Sequence, residues 1–485
     1  MSTHHVMKPL SVFILTALLS ACMVGPDFVR PTAPTTPNFT AGGDQITTGD
    51  QRLVSGQAVS SVWWQSFASA QLNDVMQQAL AGNLTLQATQ ATLAQAQAQV
   101  QASAGALDPQ VSLGGTAGRQ KYGATLFGPS DFHIPPFTYY SVGPQVSYLL
   151  DFAGGKRRSL EQQKALAAYQ AYQTQAARLS LTGNVAAQVI GLVSAQTQIA
   201  VIQQILIDDQ KNIALIQKAK IIGSATQNDL LSLQSQLAAD QALLPPLQQQ
   251  QSTATHALAI LVGKAPADWQ APHFDVNEFH LPAALPLSLP SSLVHYRPDI
   301  MAAESQLHAA SATIGMATAN LYPSLTLTAN MTQQALTPVD LFKSTANAWA
   351  IAGGLSAPLF NGGTLRAEKK AAEAAYQSEL ANYQQVILQS FGQVADVLKA
   401  LEHDAEQIKT QQQALDAAQS SLKLTDLSYQ LGNSGVLPLL DAERLAHQAR
   451  LSLVRAKVQQ YQDTALLYLA LGGGTLSENP QQPIS

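Results

Sequence analysis

Cysteine is almost absent. Cys22 is the single one in 485 residues, so no disulfide can form within the chain. Charge is scarce as well: Asp, Glu, Lys and Arg make up 12% of residues, about half the usual soluble share. The net charge of −5 comes without a concentrated basic patch, which leaves no basis for nucleic acid as a partner. Lys156-Arg157-Arg158 is the one cationic run, and it reads as a solvated strand–helix corner. Catalytic signatures are missing too. There is no Gly-rich phosphate loop, no His-Glu-x-x-His and no Gly-x-Ser-x-Gly, and the histidines and methionines are dispersed without ligand spacing. Glu304 and His308 share a helix face, which surface packing explains more cheaply than catalysis. The residues point to no enzyme, no resident metal and no cofactor.

What is present begins at the N-terminus. Lys8 precedes an apolar run from Leu10 to Leu19, which ends in Leu19-Ser-Ala-Cys22. A basic flank, a short apolar core and small residues at its end make a secretory signal over 1–21. The run is too short to span a bilayer as a helix. A cysteine directly after Leu-Ser-Ala resembles the bacterial lipoprotein signal, which implies a covalent lipid on Cys22. Met23 in place of Asp implies, by the same resemblance, sorting to the outer membrane of a Gram-negative bacterium. Residues 22–62, with Pro26, Pro31, Pro34 and Pro37, read as a lipidated N-terminus and extended strap. Trp63-Trp64-Gln-Ser-Phe67 opens the packed region and anchors the first helix.

Period and punctuation organise the remainder. A helical pattern over 71–104 stops at Leu107-Asp108-Pro109, and Val111, Leu113, Gly115 and Ala117 alternate as a strand. A Gly/Pro/aromatic loop covers 119–137. Tyr140, Val142, Pro144, Val146, Tyr148 and Leu150 form a second period-two run, closed by Phe152-Ala-Gly-Gly155. A helix from Lys156 to Ile222 follows, on the order of 100 Å long. After a turn at Gly223 a helix returns to Val262-Gly263, with a kink expected at Pro245-Pro246. Residues 265–296 form a Pro-rich connector.

Then the plan repeats. Arg297-Pro-Asp opens an Ala-rich helix: Pro298 suits a first helical position, and Asp299 meets the positive helix end. Pro323 stops that helix, and Leu325, Leu327, Ala329 and Met331 alternate with Ser324, Thr326, Thr328 and Asn330 as a strand. Leu107-Asp-Pro matches Leu321-Tyr-Pro, Phe152-Ala-Gly-Gly matches Phe360-Asn-Gly-Gly, Gly223 matches Gly432 and Gly263 matches Gly472, all at nearly constant offset. The chain is an internal duplication, with repeats at 63–264 and 297–472 and a flexible tail over 473–485. In the second long helix Leu380, Ile387, Val394, Leu401, Ile408, Leu415, Leu422 and Tyr429 fall every seven residues. Val185, Leu192, Ile199, Leu206 and Ile213 do so in the first. Such a repeat predicts coiled-coil packing.

Each half supplies two strands long enough to cross a bilayer when tilted. Four strands cannot close a barrel, and open edges are not viable in lipid. Three chains would pool twelve strands around a water-filled interior. The fold class is therefore mainly α with β, a coiled-coil α-helical barrel plus a transmembrane β-barrel.

On Cys22-Met-Val-Gly-Pro-Asp-Phe-Val-Arg-Pro31, and on Arg297-Pro-Asp-Ile with Ala303-Glu304, Ile314-Gly315 and Tyr322-Pro-Ser324, the sequence resembles the TolC-like outer-membrane factors. It is most similar to their lipoprotein branch, which serves resistance–nodulation–division efflux pumps. The resemblance implies a homotrimer in outer-membrane lipid, docked to a periplasmic membrane-fusion adaptor and an inner-membrane pump, that conducts drugs or other toxic small molecules. It places a periplasmic gate on Leu437, Asp441 and Arg444, where Ser232 and Ser235 replace the charged pair in the first repeat. Asp441 is expected at a helix start, and Pro438 departs from the pattern. The adaptor is expected to dock at the hairpin tips, at Gly223, Ser224, Gly432, Asn433 and Gly435, with Gly223, Gly432 and Gly435 supplying positive φ. A protein-secretion or metal-ion conduit shares this architecture. A structural coiled-coil lipoprotein would account for Cys22 and the heptads but not for the duplicated strands.

Overall fold

The structure, a computed structural model, describes residues 23–44, 49, 51–122, 135–274 and 278–474. Cys22, the signal, most of the loop expected over 119–137 and nearly all of the tail lie outside these residues. A strand β1 (Arg52–Ser55) and a 3-10 turn (Trp63–Phe67) precede helices α1 (Ala70–Gly82) and α2 (Leu84–Gly105). Strands β2 (Gln110–Gln120) and β3 (Phe137–Leu150) lead to α3 (Gly155–Ile221), α4 (Gln227–Gln241) and α5 (Leu244–Leu261). The connector carries strand β4 (Ala284–Leu287) and helix α6 (Pro290–Tyr296). The second half runs α7 (Pro298–Ala319), β5 (Ser324–Ala335), β6 (Asn347–Ser356), α8 (Thr364–Gln430) and α9 (Val436–Ala470).

The duplication is visible in how the helices end. At Gly223, Gly263, Gly432 and Gly472 the backbone turns to φ of +80°, +78°, +76° and +89°. Each closes its helix with the same pair of bonds, for example Gly432 N–H to Tyr429 O at 3.0 Å and Asn433 N–H to Ser428 O at 2.8 Å. This is the Schellman arrangement, in which glycine satisfies the last carbonyls without a Cβ penalty. The heptad positions of α8 also behave as a seam: Ile387, Val394, Leu401 and Leu415 are buried, and the other four are half-buried.

Two expectations need correction. The helix read over 71–104 is two, because Asn83 intervenes in an extended conformation with φ of −68° and ψ of 120°. Its Oδ1 accepts from Leu86 N–H at 2.9 Å and its Nδ2 donates to Leu261 O at 2.9 Å, so one side chain starts α2 and ties it to the end of α5. Pro245-Pro246 does not kink a helix but opens one, in the first turn of α5, where missing N–H groups leave no bond unmade. Strap and connector also meet. β1 and β4 pair in parallel, Arg52 opposite Ala284 through Ser55 opposite Leu287.

The described residues fall into two compact units. One, drawn from 1–31, 93–170 and 303–383, contains the four-stranded antiparallel sheet in the order β2-β3-β5-β6. The other, drawn from 32–92, 171–302 and 384–485, holds the large apolar core. There Trp63, Phe67 and Met76 pack among Val185, Leu258 and Tyr468, and the Trp63 and Tyr468 rings stack with centroids 5.4 Å apart.

Candidate functional site

The sheet register puts like with like across all four strands. Val111 lies opposite Val146, Val146 opposite Ala329 and Ala329 opposite Ile351, while Met331 lies opposite Trp349 and Leu325 opposite Leu355. Because side chains alternate with period two, these residues share one face. The other face carries Ser112, Thr116, Ser141, Gln145, Ser147, Thr326, Thr328 and Asn330, with Ala350 and Ala352 on β6. The apolar face is uncovered: Trp349 is 73% exposed, and Val111, Leu113, Ile351 and Leu355 are also exposed. Among the described residues β2 and β6 each have a single neighbour, so both sheet edges are open within one chain. A soluble protein would cover such a face and such edges. Lipid and further copies of the same strands satisfy both.

At the far end of each hairpin the tips differ. In the first repeat Thr226 caps α4 by a capping box: Asp229 N–H donates to Thr226 Oγ1 at 3.2 Å, and Thr226 N–H donates to Asp229 Oδ2 at 2.8 Å. In the second repeat Gly435 is the N-cap of α9, with no side-chain cap. Its φ is −75°, an ordinary value, so positive φ belongs to Gly223 and Gly432 and not to Gly435. Ser224 and Asn433 donate the closing backbone bonds of α3 and α8, to Ala219 O at 2.9 Å and Ser428 O at 2.8 Å. Pro438 occupies the third position of α9, where an absent N–H leaves no intrahelical bond unmade. Since α9 begins at Val436, Asp441 lies in its second turn, beyond reach of the helix dipole, not at a helix start. Arg444 Nη2 and Asp441 Oδ1 stand 3.7 Å apart on an exposed surface, and Leu437 is exposed beside them.

The strap and the α7 sequence, which carry the resemblance, are two sides of one interface. Arg158 is only 1% exposed, although the sequence suggested a solvated corner. Its Nε and Nη2 donate to the carbonyls of Val24 and Gly25 at 3.3 Å each, and its Nη atoms reach Asp27 and Glu161 at 2.7 Å each. The Phe28 ring stacks on His308 at 4.4 Å, and His308 Nε2 meets Glu161 Oε1 at 2.9 Å. Arg30 Nε donates to Glu304 Oε1 at 2.7 Å. Glu304 and His308 are therefore a seat for the strap, not surface decoration. Sequence reasoning missed this role because burial of a cation depends on a segment more than a hundred residues away. Arg297 likewise works inside the fold: Nη1 donates to Ala470 O at 2.8 Å and Nε to Asp299 Oδ1 at 2.9 Å, which clamps the end of α9 to the start of α7.

Comparison with known proteins agrees with this geometry. A family model described as outer membrane efflux protein matches residues 75–264 and 289–473, one match to each repeat. The pyoverdine export outer membrane protein OpmQ of Pseudomonas putida is 31% identical over 424 residues, covering 86% of this chain and 89% of OpmQ. The cation efflux protein CusC of Escherichia coli is 28% identical, covering 95% of this chain and 98% of CusC. Among solved structures, the outer-membrane channel OprN superposes with a TM-score of 0.85 at 27% identity, covering 93% of this chain and 99% of OprN.

Proposed function

This chain belongs to the outer membrane efflux protein family, and we propose that three copies of it form the exit duct of a tripartite pump. It is an outer-membrane channel of an efflux system. The observation that carries the trimer is the four-stranded sheet with an aligned apolar face and two open edges. Joining β6 of one copy to β2 of the next, three times, closes twelve strands and leaves no edge in lipid. The polar, small-residue face then lines the pore. The same three copies bring their α3/α4 and α8/α9 hairpins into a helical tube, and a lipid on Cys22 adds a second anchor.

The exposed tips around Gly223, Ser224, Gly432, Asn433 and Gly435 are the surface offered to a periplasmic adaptor, which joins the duct to a resistance–nodulation–division pump. Leu437, Asp441 and Arg444 form the gate. Around a threefold axis, three Asp441 carboxylates repel one another unless each finds a cation, and Arg444 lies one helical turn away. The duct passes what the pump delivers, drugs or other toxic small molecules.

Single-channel conductance in planar bilayers tests both readings. Wild-type trimer is expected to insert as a pore held mostly closed. Pairs that each Asp441 makes with a cation of the next copy only in the closed end are worth up to about 1 kcal/mol each, so removing three with Asp441→Ala is expected to raise open probability by up to about 100-fold. Trimeric protein that forms no pore at all rejects the duct. An unchanged closed state in Asp441→Ala rejects the gate and leaves the duct standing.

A further inference from the structure

The seams of the long hairpins contain carboxyl groups where apolar side chains belong. Asp209 follows the heptad residue Leu206 by three, and Asp404 follows Leu401 by three. Both therefore fall on the second seam position, which Ile202, Ile216 and Tyr383 fill elsewhere. Asp209 is 8% exposed and Asp404 6% exposed. Each faces an acid on the returning helix of its own hairpin, Asp240 on α4 and Asp463 on α9. Each facing acid is held by a glutamine one turn earlier on its own helix: Gln236 Nε2 donates to Asp240 at 2.8 Å and Gln459 Nε2 donates to Asp463 at 3.0 Å.

While both acids of a pair are ionised, that arrangement leaves one oxygen of each inner acid, Asp209 Oδ2 and Asp404 Oδ2, buried without a hydrogen-bond partner among the described residues. An ionised carboxylate can only accept, and so can the carboxylate opposite it. Two such groups in a water-poor seam repel, and the orphaned oxygen carries its full desolvation cost. One proton between them removes both problems, because the protonated carboxyl donates to its neighbour.

We propose that each helical hairpin binds one proton in its seam, between Asp209 and Asp240 in the first and between Asp404 and Asp463 in the second, and that the closed packing of the hairpins depends on it. The two sites are not copies of one another under the duplication. They sit two heptads apart along the hairpin, each reached by its own residues.

The first site also touches the link between hairpins. Asn212, on the next turn of α3 and buried, donates through Nδ2 to Glu443 Oε2 of α9. The charged and titratable groups facing Asp209 are Asp240 from α4 and Glu443 from α9, with Asp208 beside it on α3. His447 and Arg450 lie on the same stretch of α9, and Asp426 of α8 acts on Glu443. Lys211 is held by Asp208 at 3.0 Å on the exposed side. Burial, with the charge and hydrogen bond of Asp240, pushes Asp209 up to about 7. Burial, with the hydrogen bond and charge of Asp463, pushes Asp404 up to about 7. Burial likewise raises Glu443, and burial lowers His447. Both inner acids therefore hold in the packed state a proton that an opened seam releases. The stabilisation is complete in acid and is lost as pH rises through about 7.

Purified trimer in detergent provides the test, with two readouts. In the infrared, the carbonyl stretch of protonated carboxyls is expected to diminish as wild type is taken from about pH 6 to about pH 8, across the value of about 7. Asp209→Asn and Asp404→Asn, isosteric donors that keep the seam packed, are each expected to remove a distinct part of that change. In amide exchange corrected for the intrinsic pH dependence, protection around 204–216 and around 398–408 is expected to fall about tenfold over the same range. Asp209→Asn is expected to flatten the first segment only, and Asp404→Asn the second only. A wild-type spectrum without a titrating protonated carboxyl overturns the proposal, as does a pH response around 204–216 that survives in Asp209→Asn or one around 398–408 that survives in Asp404→Asn. Restoration of protection at about pH 8 by millimolar Ca²⁺ or Mg²⁺ also overturns it, in favour of a cation held by the same carboxyls.

Discussion

Arg158→Met is expected to free the strap while leaving sheet and helices folded. Methionine keeps much of the length and apolar bulk of the stem, so what disappears is the set of hydrogen bonds to Val24 O, Gly25 O, Asp27 and Glu161. The Asp27 bond adds little, because that carboxylate is in water. The cost lies in the two strap carbonyls and in Glu161, which loses its buried cationic partner. Hydrogen bonds to a charged group are worth about 1.5–3 kcal/mol each at best, and these are long, so a total of about 3 kcal/mol is expected. The Val24 amide, bonded to Ala153 O at 3.1 Å, reports strap opening, and its exchange should quicken about a hundredfold. Gly25→Ala should reach the same state by a steric route. Its φ is +89°, and a Cβ there would stand 2.5 Å from the Gly315 Cα. Unchanged Val24 exchange in both variants would mean that the strap is held elsewhere.

Trp63→Ala should cost about 3–5 kcal/mol, the usual penalty for emptying a large aromatic site in a core. Trp63 is 1% exposed, stacked on Tyr468 and edge-on to Trp64 and Phe67. The site cannot collapse easily, because a 3-10 turn fixes its backbone against three other elements. Trp63→Phe is the informative companion. The buried indole Nε1 has no hydrogen-bond partner among the described residues, so its removal recovers part of what the smaller ring loses. A loss of less than about 1.5 kcal/mol is expected for Phe, read as the heat-dissociation midpoint of the trimer. Equal losses for Ala and Phe would show that the indole matters for something other than packing.

Sequence and structure agree wherever the signal is local and periodic. The heptads of α3 and α8 and the alternation in β3 and β5 were legible because a few residues define each period. The four helix-ending glycines were legible because one backbone conformation requires them. Other features depend on partners far along the chain. Asn83 looked like one more polar residue in a helical run until Leu261 supplied the carbonyl that its amide bonds. The pairing of β1 with β4 joins segments 232 positions apart, and neither stands out from its neighbours in composition. Arg158 sits in a basic triplet whose ordinary place is solvent, and the strap helps bury it. For the proposed gate, the helix start expected at Asp441 is not where the helix begins: α9 starts at Val436, which removes Asp441 from the helix end. Asp209 and Asp404 were in plain view three residues after a heptad leucine, a place where any charged residue deserved notice.

The strap also imposes an order in time. β1 lies against β4, and Gln51 bonds Gln460 and Thr464 of α9, more than four hundred residues downstream. During synthesis and export this segment emerges long before the helix that receives it exists. A chain cut off ahead of α9 would still carry a complete first repeat, yet Gln51 would have no seat. Docking of the strap therefore reports that α9 has arrived, and a segment made well before that helix finds its place only after it.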